Sequence, residues 1–207
     1  MRRVLRLRLI ALAAGVILVA VGGGLLLPSV LGLNHRSATD RRALARWLGP
    51  RGALTQVVVA PPATGSAGVP ACGAGSPDQN YALVSFPSLP GTEGVAASGT
   101  WNLLTQRSVV HWGDSPSPGG PGNVLIALHR EPNFETLGRL RRGDPIVLVN
   151  RACRRFTYRV TRTWVLNPDQ VTQLAPVSGA HVLTVITCTP LWIDSQRLVI
   201  RASLARA

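Results

Sequence analysis

Cys188 is the residue best placed for covalent chemistry. It ends a run, His181–Thr187, in which both alternating faces are largely apolar, as in a strand buried on both sides. A thiolate attacks carbonyl carbon well, and it needs a base that can later protonate a leaving amine. Of the four histidines, His129 fits this role best, because it ends another apolar run and opens a loop.

A permanently charged donor lies near the cysteine. If residues 189–196 form the loop of an antiparallel hairpin with symmetric register, Cys188 and Arg197 face each other with Cβ atoms about 5 Å apart. The guanidinium would then stabilise the oxyanion that forms when a thiolate attacks a carbonyl. Arg201 lies two pairs further from the loop and is the second choice. Together these residue types predict acyl transfer.

The elements that must position these residues are predicted to be strands. Short runs rich in Val, Leu, Ile, Thr and Trp alternate with Pro- and Gly-rich turns, which predicts an all-β sandwich or barrel in one folded domain. One helical turn is predicted at residues 133–140. The predicted strands are 54–60, 81–86, 108–112, 123–129, 145–150, 155–165, 181–188 and 197–204.

A segment near the N-terminus predicts a membrane anchor. Leu9–Leu33 contains no charged residue over 25 positions, and as a helix it would reach about 37 Å against a hydrocarbon core of about 30 Å. The run is too long for the apolar core of a cleaved signal peptide, which is the competing interpretation. Four arginines precede it, as expected of a cytoplasmic N-terminus, although further arginines follow it.

This anchor predicts the organisation of the chain. We expect a cytoplasmic tail at 1–8, a single transmembrane helix at 9–33, a stalk with a first strand and a mobile loop at 34–78, and an extracellular domain at 79–207 that includes strand 54–60. In the stalk, Ala43, Leu44, Trp47 and Leu48 have helix-like spacing.

The charge is strongly basic and comes from arginine alone. Removing the four arginines of the tail from the formal charge of +13 leaves +9, spread over many segments. Nucleic-acid binding usually adds interleaved aromatic residues or a docking motif, and the sequence has neither. An outer domain that faces an anionic wall or membrane fits better. No His/Cys spacing indicates a metal site, and no cofactor is predicted.

The motifs around these residues resemble those of the sortase family. Thr184–Cys188 is similar to the Thr-Leu-x-Thr-Cys signature, which Thr189-Pro190 continues in the manner of class E sortases of actinobacteria. Arg197 falls where those sequences carry a catalytic arginine. Pro121–Asn123 and Ala127–Arg130 resemble the Pro-Gly-x-x-Gly-Asn and Ala-Gly-His-Arg stretch around the catalytic histidine, with leucine at 128 in place of glycine. The resemblance covers about residues 81–204.

The resemblance implies an eight-stranded closed β-barrel with one short helix and an active site in one groove. It implies that Cys188 cleaves a signal similar to Leu-Pro-x-Thr-Gly or Leu-Ala-x-Thr-Gly between Thr and Gly, with His129 as acid and base and Arg197 as oxyanion clamp. An amine from a cell-wall peptide precursor or a pilin lysine would then resolve the thioacyl enzyme. Thr187 and Thr184 are the expected substrate-binding residues.

The sequence leaves open whether the other two cysteines are paired, and it allows two other functions. Outside the cell, Cys72 and Cys153 can form a disulfide that leaves one free nucleophile, or they can be two unrelated thiols. An extracellular cysteine endopeptidase would use the same residues but pass the acyl group to water. A non-catalytic wall-binding barrel would keep only the fold.

Overall fold

The apolar runs form a closed barrel in the computed structural model, which describes residues 2–49, 72–73, 75–76, 78–174 and 179–205. The predicted strand 54–60 and most of the predicted mobile loop lie outside these residues. At residues 2–13, 23, 25–30, 32–34 and 171–173 it describes the backbone alone. The chain divides into two compact units, residues 1–36 and 37–207.

Eight strands build the barrel, in the order β1-β2-β3-β4-β7-β8-β6-β5. The neighbours are antiparallel except for the parallel pairs β2/β3 and β4/β7. The predicted eight-stranded closed barrel is therefore confirmed. The strands are β1 Ala82–Ser85, β2 Glu93–Gly99, β3 Val109–Trp112, β4 Gly122–Leu128, β5 Pro145–Asn150, β6 Arg155–Leu166, β7 His181–Thr189 and β8 Gln196–Leu204.

Alternation along the strands decides which side chains fill the barrel. On β4, the core contains Val124, Ile126 and Leu128, so Leu125 and Ala127 between them face outward. On β7, the side chains of Leu183 and Val185 are fully buried in the same core. Because β4 and β7 are neighbours, their outward residues form one continuous outer surface.

β2 is the strand that the sequence pattern did not predict. Its residues, Glu-Gly-Val-Ala-Ala-Ser-Gly, include glycines and alanines, which are depleted in strands. A Cβ atom added at Gly94 would lie 3.0 Å from side-chain atoms of both Phe134 and Val109. Close packing against β3 and against Phe134 therefore requires a small residue here, and that requirement removes the apolar alternation by which strands are recognised.

The predicted helical turn at 133–140 is a 3₁₀ helix, Glu135–Arg139, whose Leu137 is buried in the core. Two further 3₁₀ helices were not predicted. Trp101–Thr105 joins β2 to β3, and Pro168–Leu174 begins the connection from β6 to β7. Both unpredicted helices contribute to the site described below.

Helix α1, Arg2–Leu48, contains residues 34–48, the first part of the segment predicted as a stalk. Its Ala43 and Trp47 are buried against Leu83 and Val95 on the outside of the barrel, which explains their helix-like spacing. Asp40 of the same segment forms a 3.3 Å ion pair with Arg107. Residues 37–48 therefore pack onto the barrel as part of the second unit.

The predicted anchor, 9–33, falls in the first unit, where the structure describes only the backbone of many residues. Among the helical residues that are described, no stretch combines the length and the mean hydropathy needed to cross a bilayer.

Cys72 and Cys153 form a disulfide, which is one of the two arrangements left open by the sequence. The backbone N–H of Cys72 also donates to the carbonyl of Arg151, at 2.8 Å. The bond attaches the chain before β1 to the turn between β5 and β6. It leaves Cys188 as the free cysteine.

Candidate active site

Three neighbouring strands bring the predicted catalytic residues together. In the β7/β8 register Cys188 pairs with Arg197. In the parallel β4/β7 register Leu128 pairs with Thr187, so the next residues along each strand, His129 and Cys188, lie side by side. Adjacent strands are about 4.8 Å apart. The backbone of Cys188 therefore lies between those of His129 and Arg197.

The hairpin that carries Cys188 and Arg197 is tighter than predicted. Thr189 pairs with Gln196, so the loop consists of residues 190–195 rather than 189–196. Nη1 of Arg197 donates to the carbonyls of Asp194 and Gln196, at 2.9 Å each. These two bonds hold the guanidinium against the loop and fix its position beside the thiol.

The Cys188 thiol is half-buried, and its surroundings act on its pKa in opposite directions. Burial raises the pKa, the guanidinium of Arg197 lowers it, and the carboxylates of Asp194 and Glu131 raise it again. The net result is a pKa above the ordinary value, so the resting thiol is protonated at neutral pH. Attack on a carbonyl therefore needs a base close to the sulfur.

His129 is oriented by a backbone carbonyl. Its Nε2 donates to the carbonyl oxygen of Leu104, at 2.8 Å, and a carbonyl can only accept. In neutral His129 this tautomer places the lone pair on Nδ1, which is then the basic nitrogen. Leu104 belongs to the unpredicted 3₁₀ helix Trp101–Thr105. Its role uses only the main chain, so no residue type in the sequence could have marked it.

A cleft of about 1030 Å³ runs along the outer surface of β4 and β7. Leu125, Ala127 and Ile186, which face outward, form its apolar floor. Cys188 lies near one end of this floor and Asn123 lies near the other, six positions away in the register, or about 20 Å. Further lining comes from Trp101, Leu104, Trp112, Asp114, Ser115, Pro116, Pro168, Leu174, Gly179 and Arg197.

The two predicted substrate-binding threonines differ in position. Thr187 lines the cleft, and its buried Oγ1 has no hydrogen-bond partner among the described residues. Thr184 is fully buried; its hydroxyl donates to Asn123 Oδ1, at 2.8 Å, and accepts from Arg201 Nε, at 3.2 Å. Thr184 is absent from the described lining of the cleft, and its contact with a substrate stays a prediction.

Comparison with known proteins identifies the family. The family model of the sortase domain matches residues 84–205, more than half of the chain. The chain belongs to the sortase family. The match begins within β1 and ends just after β8, so it covers nearly the whole barrel together with His129, Cys188 and Arg197.

Individual sortases resemble the chain at moderate identity. Sortase D of Bacillus subtilis is 28% identical over 85 residues, which are 41% of this chain and 42% of that protein. Sortase SrtE2 of Streptomyces coelicolor is 27% identical over 105 residues, 44% of this chain and 40% of that protein. The aligned region thus spans about two fifths of these curated relatives. The structure of a Clostridium perfringens sortase D5 transpeptidase superposes with a TM-score of 0.55 at 26% identity, covering 61% of this chain and 79% of that chain.

Leu128 stands where the sortase pattern has glycine, and it does not interrupt strand β4 of this sortase. The Leu128 side chain is 3% exposed and belongs to the main core of the barrel. The strand therefore runs unbroken to Leu128, and just beyond its end the N–H of His129 donates to the carbonyl of Ser108, at 2.9 Å.

His111 supports the cleft from beneath. The ring is 2% exposed and stacks on Tyr81 with ring centroids 4.3 Å apart. Its Nδ1 lies 3.0 Å from Ser98 Oγ, and its Nε2 lies 3.0 Å from Ser115 Oγ. Burial lowers the pKa of this histidine. Since Ser115 lines the cleft, His111 is a structural residue that holds the β3–β4 loop in place.

The raised thiol pKa predicts how Cys188 of this sortase reacts with iodoacetamide. Only the thiolate is alkylated, so the rate constant should rise about tenfold per pH unit from pH 6 to 8, with its half-maximum above that of an ordinary cysteine thiol. Because the other two cysteines are paired, labelling followed by peptide mapping reports on Cys188 alone. Arg197→Gln should move the half-maximum further upward, since the guanidinium lowers this pKa. A half-maximum below pH 7 would show that burial is not the largest influence on the pKa of Cys188.

Proposed function

We propose that this sortase is a cysteine transpeptidase that joins a protein substrate to an amine through a thioester on Cys188. The observation that carries the proposal is the sheet register, which sets Cys188 on β7 opposite Arg197 on β8 and next to His129, the residue that follows β4, at one end of an apolar cleft. A nucleophile, a base and a fixed cation are the three groups that acyl transfer requires.

In the first half-reaction, Cys188 attacks the carbonyl carbon of the substrate. The thiol proton passes to Nδ1 of His129, the sulfur–carbon bond forms, and the carbonyl electron pair becomes an oxyanion beside the guanidinium of Arg197. When the oxyanion collapses, the carbon–nitrogen bond breaks and His129 gives its proton to the departing amine. This sequence needs no cofactor, and it leaves the acyl group as a thioester.

In the second half-reaction, a different amine replaces the sulfur. His129 removes a proton from the incoming amine, which attacks the thioester, and Arg197 stabilises a second oxyanion. The sulfur leaves with the bonding electron pair and regains its proton from His129. The buried hydroxyl of Thr187 lies in the cleft lining close to this centre, and we assign it a contact with the substrate or the oxyanion.

The cleft supports an extended, largely apolar peptide as the acyl donor. A floor of about 20 Å holds about six residues of extended chain, and its side chains are aliphatic, with Trp101 and Trp112 in the lining. A sorting signal of the type Leu-Pro-x-Thr-Gly or Leu-Ala-x-Thr-Gly, cut between Thr and Gly, has this length and character. The amine would come from a cell-wall peptide precursor or a pilin lysine.

The proposed location is the outer face of the cell membrane. The uncharged segment 9–33 would be a single-pass anchor, with residues 1–8 in the cytoplasm. The disulfide between Cys72 and Cys153 supports an oxidising compartment, because such bonds are rare in the cytosol. The basic charge that remains outside the tail suits an anionic wall.

A ligation assay tests the proposal. The full chain in detergent is mixed with a Leu-Ala-x-Thr-Gly peptide and an excess of primary amine, and the products are separated by mass. We expect an amide between the threonine carbonyl and the amine, together with a released fragment that begins with glycine. Hydrolysis alone would favour a cysteine endopeptidase. No reaction with any signal peptide, with Cys188 inert to thiol reagents, would favour a non-catalytic wall-binding barrel.

A further inference from the structure

The loop between β7 and β8, residues 190–195, places two large apolar side chains in solvent. Trp192 and Ile193 are 65% and 69% exposed, so burial of these side chains does not hold the loop. The backbone N–H groups of Ile193 and Asp194 donate to the carbonyl of Pro190, at 3.2 and 3.1 Å. Trp192 has a φ of 64°, in the left-handed region that a bulky residue adopts only at a cost in free energy. The loop therefore depends on contacts from outside it to keep this conformation.

The same loop holds the guanidinium of Arg197. Its Nη1 donates to the carbonyls of Asp194 and Gln196, at 2.9 Å each. Gln196 belongs to β8 and pairs with Thr189, whereas Asp194 lies inside the loop. A shift of the loop would therefore move one of the two carbonyls that fix the guanidinium. The conformation of the loop thus determines where the oxyanion donor lies relative to Cys188.

A buried carboxylate from the far side of the site bonds this loop. Glu131, two residues after His129, is 7% exposed. Its Oε1 accepts from the backbone N–H of Trp192, at 2.9 Å. A hydrogen bond to an ionised acceptor is stronger than one between neutral groups, and at this burial water does not readily replace a lost partner. Glu131 therefore supplies a contact on which the loop depends.

Side chains join the two segments where the backbone pairing stops. The β4/β7 register ends one residue before the reacting histidine and cysteine. Beyond it, Nη1 of Arg130 donates to Oγ1 of Thr189, the last residue of β7, at 2.8 Å. Glu131 then reaches Trp192 within the loop. The segment that carries the base is thus attached at two points to the hairpin that carries the nucleophile and the cation.

We propose that Glu131 is a positioning residue that holds the β7–β8 loop and thereby places the guanidinium of Arg197 for stabilisation of the oxyanion. This inference rests on the proposed transpeptidase function. Glu131 acts through its hydrogen bond to Trp192. Its charge has a separate effect, because it raises the pKa of Cys188, and a test must distinguish the two.

Glu131→Gln and Glu131→Met form a matched pair for the test. Glutamine removes the charge but keeps an oxygen for the Trp192 N–H, whereas methionine keeps a similar length and removes both oxygens. We expect Glu131→Met to lower kcat about 10- to 100-fold, as for the loss of a buried hydrogen bond to a charged group. KM should stay within about twofold, because the oxyanion exists only in the transition state. Glu131→Gln should keep kcat within about threefold. Glu135→Met, at an exposed glutamate on the following 3₁₀ helix, is the control and should match the wild-type protein.

A double-mutant cycle with Arg197→Ala distinguishes positioning from a general loss of structure. Once the guanidinium is absent, its placement no longer matters. Adding Glu131→Met to Arg197→Ala should therefore lower the single-turnover rate by less than about threefold. If Glu131→Met lowers the rate by the same factor with and without the guanidinium, Glu131 does not act through Arg197 and the inference is overturned.

Hydrogen exchange gives a further readout that needs no activity. The amides of Ile193 and Asp194 should exchange faster in Glu131→Met than in the wild-type protein or in Glu131→Gln, while those of β1 and β5 stay protected. Glu131→Ala provides a second variant should methionine prevent folding, and it should shift kcat and exchange in the same direction.

Unchanged exchange in the loop together with an unchanged kcat would overturn the inference. Equal losses of kcat in Glu131→Gln and Glu131→Met would also overturn it, because they would show that the charge acts rather than the hydrogen bond. If the wild-type protein ligates no peptide, the proposed function fails, and the exchange experiment still decides whether Glu131 holds the loop.

Discussion

Cys188→Ala is expected to abolish both ligation and hydrolysis of a signal peptide, with a loss of turnover of at least about 10⁴-fold. Without the sulfur no thioester forms, and the remaining His129 and Arg197 have no covalent partner to activate. The loss should be complete for every amine acceptor, because all acceptors react with the same intermediate. Turnover is measured by the mass-resolved ligation assay at saturating peptide.

The variant should remain folded, which makes its inactivity interpretable. Cys188 is half-buried at the cleft lining, and alanine removes only the sulfur atom. Its melting temperature should stay within a few degrees of the wild-type value, about the shift that a 1 kcal/mol change produces. Retention of hydrolysis by a folded Cys188→Ala protein would show that another group attacks the peptide.

Arg197→Ala is expected to lower kcat about 10²- to 10³-fold, the usual effect of removing one oxyanion donor. KM should change little, because the oxyanion exists only in the transition state. Arg197→Lys should recover only part of the loss, since a guanidinium that bonds the carbonyls of Asp194 and Gln196 through Nη1 keeps other N–H donors for the oxyanion, whereas an ammonium group has a single nitrogen for both tasks. Arg159→Ala is the matched control, because Arg159 is an exposed arginine on β6.

Arg197 also acts on the thiol, and the two effects can be separated. Its guanidinium lowers the pKa of Cys188, so its removal should slow alkylation at neutral pH as well as acyl transfer. If acyl transfer falls much more than alkylation, the arginine stabilises the oxyanion. Equal losses in the two reactions would show that it acts only on the thiol, and would contradict the role assigned to it.

The local sequence pattern was sufficient to predict most strands and the pairing of Cys188 with Arg197 in the site. Runs rich in Val, Leu, Ile and Thr alternate visibly, so seven strands were predicted to within about two residues. The Cys188–Arg197 pair was predicted from a symmetric register on the two sides of the hairpin loop, and the observed register contains this pair. An antiparallel hairpin is local in sequence, so its geometry can be worked out from spacing alone.

Nonlocal features could not be found in this way. His129 lies beside Cys188 because β4 and β7 are parallel neighbours, and no local pattern specifies that pairing. β2 was missed because close packing at Gly94 selects small residues. Leu104 orients His129 through a carbonyl that every residue possesses. Nor does a motif reveal which of its residues the neighbouring strands cover, as they do Thr184.

The intact mass of the protein during the reaction shows whether a thioester forms on Cys188. When the wild-type chain is mixed with a signal peptide and quenched in acid, we expect an adduct equal to the peptide up to its threonine, mapped to Cys188. The adduct should disappear on addition of amine as ligated product accumulates, and it should be absent from Cys188→Ala. Product that accumulates without any adduct, or an adduct on another residue, would show that Cys188 does not carry the acyl group.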